Sequence, residues 1–239
     1  MSAAPAIDTR LHPVTAFRAV RRLMGNPGDT AQVFVILRAM RGTSAARAYR
    51  RFRDSPAGAR ILAERRDLLD ALDDSRLAPL PDGTLGHAYR GFMRAENLSA
   101  TGLIEAAESV DDEGWPPEAE RFRARMRVMH DLTHVATGYG RDPFGELCLL
   151  AFMQAQMRHL GMAMIVGMGL LRVLREKKRW PALAAVLEAR RHGRRAHWLA
   201  GEDWESLLSQ PLDSVRRSLR VAPPARYAAL VAHLPKDRL

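Results

Sequence analysis

Apolar residues recur along this chain at the three- and four-residue spacing of helices, and no train of alternating strands bounded by hairpin turns interrupts them. The pattern predicts an all-α fold, a single-domain helical bundle over residues 1–239, with residues 1–28 as a loosely attached N-terminal segment. Asp29 is positioned to cap a helix over TAQVFVILRAM that stops at Gly42. Ser55 followed by Pro56 marks a cap with proline at the first helical position, opening one helix through AGARILAERRDLLDAL. Two prolines and two glycines between Pro79 and Gly86 predict a loop, after which HAYRGFMRAEN returns to helical spacing.

Residues 115–174 form the expected core. A helix begins among acidic residues and prolines (DDEGWPPEAE), runs through RFRARMRVMHDLTHVAT and ends at Gly138 and Gly140. A short loop, RDPFG, leads to GELCLLAFMQAQMRHLGMAMIVGMGLLRVL, apolar on most faces and therefore central, with Gly161 as a candidate bend. Beyond it come a basic helix (PALAAVLEARRHGRRAHWL), the segment EDWESLL and a short SVRRSLR stretch before Pro223 and Pro224.

Composition narrows the classes. With 239 residues, 47% of them hydrophobic, the chain can bury a sizeable core. The formal charge of +10 is almost wholly arginine, since only Lys177, Lys178 and Lys236 are lysines. Either this basic surface docks on anionic lipid, with Arg190, Arg191, Arg194 and Arg195 as the densest cluster, or it reflects a compositional bias. Neither a zinc finger nor an aromatic RNA-binding signature is present, so no nucleic-acid partner is expected. Cys148 has no second cysteine to pair with, which fits a reduced, cytoplasmic setting. The N-terminus lacks the apolar stretch of a secretory signal, and Leu160–Leu171 is too short to span a bilayer.

One constellation carries chemistry. His130 and His134, four apart on a helix, put both imidazoles on one face. Asp131 points about 100° away, so it either reaches the same ion from the side or accepts from an imidazole N–H. Glu146 follows His134 after eleven residues, and a reversal at Gly138 and Gly140 can return its carboxylate to the pair. His130, Asp131, His134 and Glu146 are thus the expected metal-binding and catalytic residues. Their nitrogen and oxygen donors suit one divalent ion, zinc first and iron or manganese next. An HD-type phosphohydrolase shares the His130-Asp131 dipeptide and would draw on His87 and Asp142, but a histidine four residues on and a distant glutamate depart from that arrangement.

The stretch HDLTHVATGYGRDPFGE, residues 130–146, resembles the coenzyme Q biosynthesis protein four family of ubiquinone synthesis, whose hallmark is HDxxH followed after eleven residues by Glu. RFRDSPAGARILAERRDLL, LPDGTLGHAYRGFM and EDWESLLSQPLDSVRRSLRVAPP look like further blocks of that family, extending the likeness over roughly residues 30–224. Leu150 stands where members often carry a lysine.

The resemblance implies an all-α, often dimeric protein on the membrane surface, peripheral to the inner face of a bacterial membrane. Its partners would be a long-chain polyprenyl quinone precursor or other isoprenoid lipid and other ubiquinone-biosynthesis proteins. It further implies metal-dependent oxidative decarboxylation of the precursor ring, carboxyl to hydroxyl, or an accessory role in it. The alternative is a non-catalytic isoprenoid-binding scaffold. Met153, Met157, Met162, Met164 and Met168 either wall a lipid tunnel or fill the core.

Overall fold

The structure, a computed structural model, describes residues 9–26, 28–29, 31–98, 115–175 and 179–232. Helices dominate the described residues, whose one β-type pairing is an isolated bridge between Thr84 and Pro211. The all-α expectation holds.

Helices α1 (Pro13–Gly25) and α2 (Ala31–Ala39) form a hairpin, tied where the His12 amide donates to the Ala39 carbonyl. Ala16, Ala19 and Val20 face inward, whereas Val14, Phe17 and Met24 on the opposite side of α1 are exposed. At the foot of α2 the Asp29 carboxylate accepts from the Gln32 side chain, and the helix ends three residues before Gly42.

In α4 (Pro56–Ala63), which follows α3 (Ser44–Arg53), the Ser55 hydroxyl accepts from the Gly58 amide as the sequence predicts. The expected continuous helix onward to Leu72 is instead broken. Arg65 takes a left-handed conformation (φ 51°), and Asp67 caps a new turn, α5 (Leu68–Ala71). A helical residue there would carry Arg66 away from Asp203, with which it forms a two-pronged ion pair at 2.9 and 3.0 Å. After α6 (Asp74–Leu77), Thr84 caps α7 (Leu85–Ala95), which therefore starts two residues inside the predicted loop.

Helix α8 (Pro117–Thr137) carries the two histidines, and its acidic lead-in at Asp111 and Asp112 lies outside the described residues. It is pinned by Arg125, whose guanidinium makes paired bonds of 2.6 and 2.7 Å to Glu205 on α12 (Trp204–Leu207), both residues being nearly buried. The long apolar helix expected next is two helices, α9 (Pro143–Met157) and α10 (Leu160–Val173). The break falls at Arg158 (φ 51°) and His159, whose Nδ1 caps α10 by accepting from the Gly161 amide. Gly161 serves packing instead of bending: a Cβ there would sit 2.9 Å from the Ile36 carbonyl of α2.

The basic helix α11 (Arg179–Arg195) crosses α9 closely, with Ala182, Ala185, Val186 and Ala189 inside. Then come α13 (Leu212–Ser218) and α14 (Ala225–Val231), the second of which lies past Pro223 and Pro224, beyond the last element expected from the sequence. One large apolar cluster spans Ala48 to Leu230, and a small one joins α1, α2 and α10. Each large side chain buried there favours the fold by roughly 1.5–3 kcal/mol.

The methionines divide between these clusters: Met153, Met157 and Met162 with the large one, Met164 and Met168 with the small one. Between Met129, Met153 and Met157 the remaining void is about 10 Å³, room for a single water at most.

Candidate metal centre

Four-residue spacing on α8 sets the rings of His130 and His134 edge to face, with centroids 4.8 Å apart. The helix ends at Gly138 in the left-handed conformation (φ 79°), a geometry that costs a side chain but not glycine. The reversal brings the Tyr139 carbonyl to 2.9 Å from His134 Nδ1. A carbonyl can only accept, so the hydrogen resides on Nδ1 and the Nε2 lone pair is free to bind. His130 repeats the arrangement with a different acceptor: its Nδ1 lies 3.1 Å from Asp131 Oδ1. Asp131, nearly buried, takes the acceptor role beside His130 that its position on the helix allows.

Glu146 is delivered by the start of α9. Asp142 caps that helix through the amides of Phe144 and Gly145. Gly145 packs so tightly on the preceding turn that a Cβ would fall 2.1 Å from the Gly140 carbonyl oxygen. The Glu146 carboxylate comes to 3.4 Å from His134 Nε2 and 3.9 Å from His130 Nε2, with Arg141 Nε at 3.8 Å on its outer side. His130, His134 and Glu146 each offer a ligand atom, all within 4.8 Å of one another. Asp131 is not in that set.

These donors fit a divalent ion. His134 Nε2 is buried and lacks a hydrogen-bond partner, because the contact to Glu146 is too long and poorly aligned to serve as one. An ion among the three residues would satisfy it, and two imidazoles with one carboxylate are a borderline-to-hard set suited to zinc, iron or manganese. Burial by itself lowers the pKa of His134, but the Glu146 carboxylate, the Tyr139 carbonyl and Asp131 outweigh it and hold the imidazole above its usual value. Burial raises the Glu146 pKa, and His134, His130 and Arg141 more than offset that, keeping the carboxyl ionised.

Residues from other helices brace the corner. Phe92 on α7 stacks on the His134 ring at 5.7 Å. Arg216 on α13 donates to the Val135 and Ala136 carbonyls, both at 3.0 Å, satisfying acceptors that the end of α8 leaves open. Tyr227 on α14 accepts from the Gly140 amide at 3.0 Å and donates to Asp142. None of the three was singled out from the sequence. For Phe92 the helical periodicity of HAYRGFM was a usable signal, whereas Arg216 and Tyr227 act across 80 and 85 residues of chain and leave no local trace.

His87 pairs with Asp82 at 3.1 Å, and Asp142 is engaged as a cap, so the phosphohydrolase nominations stay apart from the histidine pair. Leu150, one turn beyond Glu146, packs with the small apolar cluster. Of the other histidines, His159 is the α10 cap and His233 lies outside the described residues.

The family model described as Coenzyme Q (ubiquinone) biosynthesis protein Coq4 matches residues 13–225. The chain is 32% identical over 178 residues to the mitochondrial ubiquinone biosynthesis protein COQ4 homolog of Danio rerio, covering 73% of this chain and 63% of that protein. It is 31% identical over 176 residues to the mitochondrial ubiquinone biosynthesis protein COQ4 of Podospora anserina, covering 72% of this chain and 55% of that protein. The chain therefore spans less than two thirds of the length of these relatives. A crystal structure from Nostoc punctiforme, of a protein provisionally named for ubiquinone biosynthesis, superposes with a TM-score of 0.66 over 89% of this chain and 99% of that one. At 22% identity this is a likeness of fold.

Proposed function

The chain belongs to the coenzyme Q (ubiquinone) biosynthesis protein Coq4 family, and on that premise we propose that it serves ubiquinone biosynthesis as a metal-dependent enzyme acting on the ring of a polyprenyl benzoquinone precursor. The reaction replaces the ring carboxyl group by hydroxyl. Carbon dioxide leaves, water supplies the hydroxyl oxygen, and the two electrons and two protons released pass to a co-substrate, dioxygen (which becomes hydrogen peroxide) or another two-electron acceptor. The carrying observation is the buried, unpartnered Nε2 of His134 facing His130 Nε2 and the Glu146 carboxylate.

In this reading His130, His134 and Glu146 hold one divalent ion, zinc first by donor type, with iron or manganese also accommodated. The bound ion would supply a Lewis acid for the precursor's carboxylate or phenolate as negative charge develops. Asp131 keeps His130 in the tautomer that leaves Nε2 bare. Phe92 covers one side of His134 and excludes water from it. Arg141, partly exposed at the rim, is placed to orient an incoming carboxylate.

The remaining partners follow from the same reading: a long isoprenoid tail, other ubiquinone-biosynthesis proteins, a second copy of the chain and a membrane surface. No helix of the described residues is long and apolar enough to cross a membrane. The exposed Val14, Phe17 and Met24, with Arg18, Arg21 and Arg22 on the same helix, support a peripheral seat on anionic lipid, here assigned to the inner face of a bacterial membrane. The competing reading is a scaffold in which the ion only pins α8 to α9. Against it, Arg216 and Tyr227 already secure that corner, and three protein ligands leave a position open, as catalytic sites do.

Plasma mass spectrometry on the wild type, His130→Ala and Glu146→Gln tests the site. Near-stoichiometric metal in the wild type and its loss from both variants is expected. Labelled carbon dioxide released from a short-tailed precursor then separates enzyme from scaffold, because a scaffold binds the precursor without turning it over.

A further inference from the structure

A second cleft lies at the other end of α9. Its volume is about 340 Å³, and its walls come from α3, the α9–α10 junction and the end of α11. Four arginines line it: Arg47 and Arg51 on α3, Arg158 at the junction and Arg194 on α11. No carboxylate lines it, and among the described residues Arg47, Arg158 and Arg194 make no ion pair. Arg47 and Arg51, four apart on one helix, repel each other unless something negative lies between or beside them. Ser44, in the first turn of α3, also lines the cleft, so the positive end of that helix adds to the same field.

The walls are preset. Gln156 donates to the His197 carbonyl at 2.6 Å and accepts from the Leu199 amide at 3.1 Å, fixing the chain on either side of Trp198. The Arg51 guanidinium lies 4.3 Å over the Trp198 ring, holding the side chain that faces the cleft. Beneath the charges, Ala48, Ala155 and Met157 make an apolar floor. Guanidinium groups match phosphate oxygens in pairs, and Arg presents this fork where Lys cannot. From Glu146 to Arg158 is twelve residues of helix, about 18 Å at 1.5 Å per residue, so the cleft is separate from the metal centre.

We infer that this cleft is an anion site that binds a phosphate group carrying a small apolar body, through Arg47, Arg158 and Arg194. The phosphate belongs either to a soluble phosphomonoester or to a lipid headgroup.

Calorimetry with phenyl phosphate and with inorganic pyrophosphate, at about 50 mM and about 300 mM salt, reads the soluble source. Sedimentation with phosphatidylcholine vesicles containing phosphatidic acid reads the lipid source. The Arg47→Gln/Arg158→Gly double variant removes two cleft charges, glycine suiting the φ of 51° at position 158. Arg76→Gln/Arg217→Gln removes two exposed charges on α6 and α13, away from the cleft. Binding to either source that weakens about tenfold or more in the cleft variant, and stays at wild-type strength in the control, is the expected result. Equal weakening in both variants, or no binding to any of the three probes, overturns the proposal. Unchanged far-ultraviolet dichroism and metal stoichiometry in the cleft variant show that its fold and the metal centre are intact, so this test fails or succeeds independently of the proposed reaction.

Discussion

Tyr227 and Asp142, 85 residues apart, share a hydrogen bond, and the same tyrosine oxygen accepts the Gly140 amide. One hydroxyl thus clamps both sides of the turn that carries Glu146. Tyr227→Phe keeps the ring against Tyr139 and removes only that oxygen. Leaving the Gly140 amide and one Asp142 oxygen without it is expected to cost about 1–3 kcal/mol of stability and to weaken metal binding, read from urea midpoints and competition with a chromogenic chelator. Unchanged values for both would remove the clamp from the account.

Glycine at position 145 is enforced by contact. Gly145→Ala places a methyl carbon 2.1 Å from the Gly140 oxygen, so the turn and α9 must separate. Metal content should fall more steeply than helix content, since the displacement acts on the Glu146 carboxylate before it acts on the core. Parallel mass spectrometry and circular dichroism would show this, and full metal loading in the variant would count against it.

Arg125 and Glu205 form a nearly buried pair linking α8 to α12. Removing one partner strands the other charge, so Arg125→Met is expected to destabilise by about 3–5 kcal/mol. The double substitution Arg125→Met/Glu205→Met should recover a good part of that loss in denaturant titrations, because no buried charge is left over. A double variant no more stable than Arg125→Met would contradict this.

His159 predicts an acid-side loss of stability. Burial, reinforced by the charge of Arg41, lowers its pKa to about 4, and its Nδ1 must stay unprotonated to accept the Gly161 amide. The unfolded chain takes up a proton near pH 6.5 and the folded chain only near 4, so stability falls as the pH drops through that window. The loss should be roughly 2–4 kcal/mol between those limits. His159→Asn retains a capping oxygen and should flatten this part of the profile, measured by denaturant midpoints across pH.

Local signals carried much of the architecture. Ser55, Pro56 and Gly138 mark their helix ends because capping depends on the nearest few residues. The spacing of His130, His134 and Glu146 was readable for the same reason, helix pitch and one turn sufficing to converge them. The breaks at Arg65 and Arg158 were hidden, since arginine is a good helix former and apolar periodicity continues on both sides. At the first break a tertiary contact decides, Arg66 with Asp203; at the second the cap is local, His159 accepting from the Gly161 amide, but the unbroken apolar run masks it. Asp131 was ambiguous in sequence because one residue's rotation permits both roles; the position of His130 Nδ1 favours one.

The acceptors that fix the two imidazoles lie within five residues of them, Asp131 beside His130 and the Tyr139 carbonyl just past His134, whereas Glu146 arrives with a separate helix. A slip of α9 by one residue would swing Glu146 through about 100° and leave both histidines correctly presented. Damage to the turn would therefore remove one prospective ligand before it disturbs the other two, leaving a two-nitrogen pair that would hold an ion loosely and expose more of it to solvent.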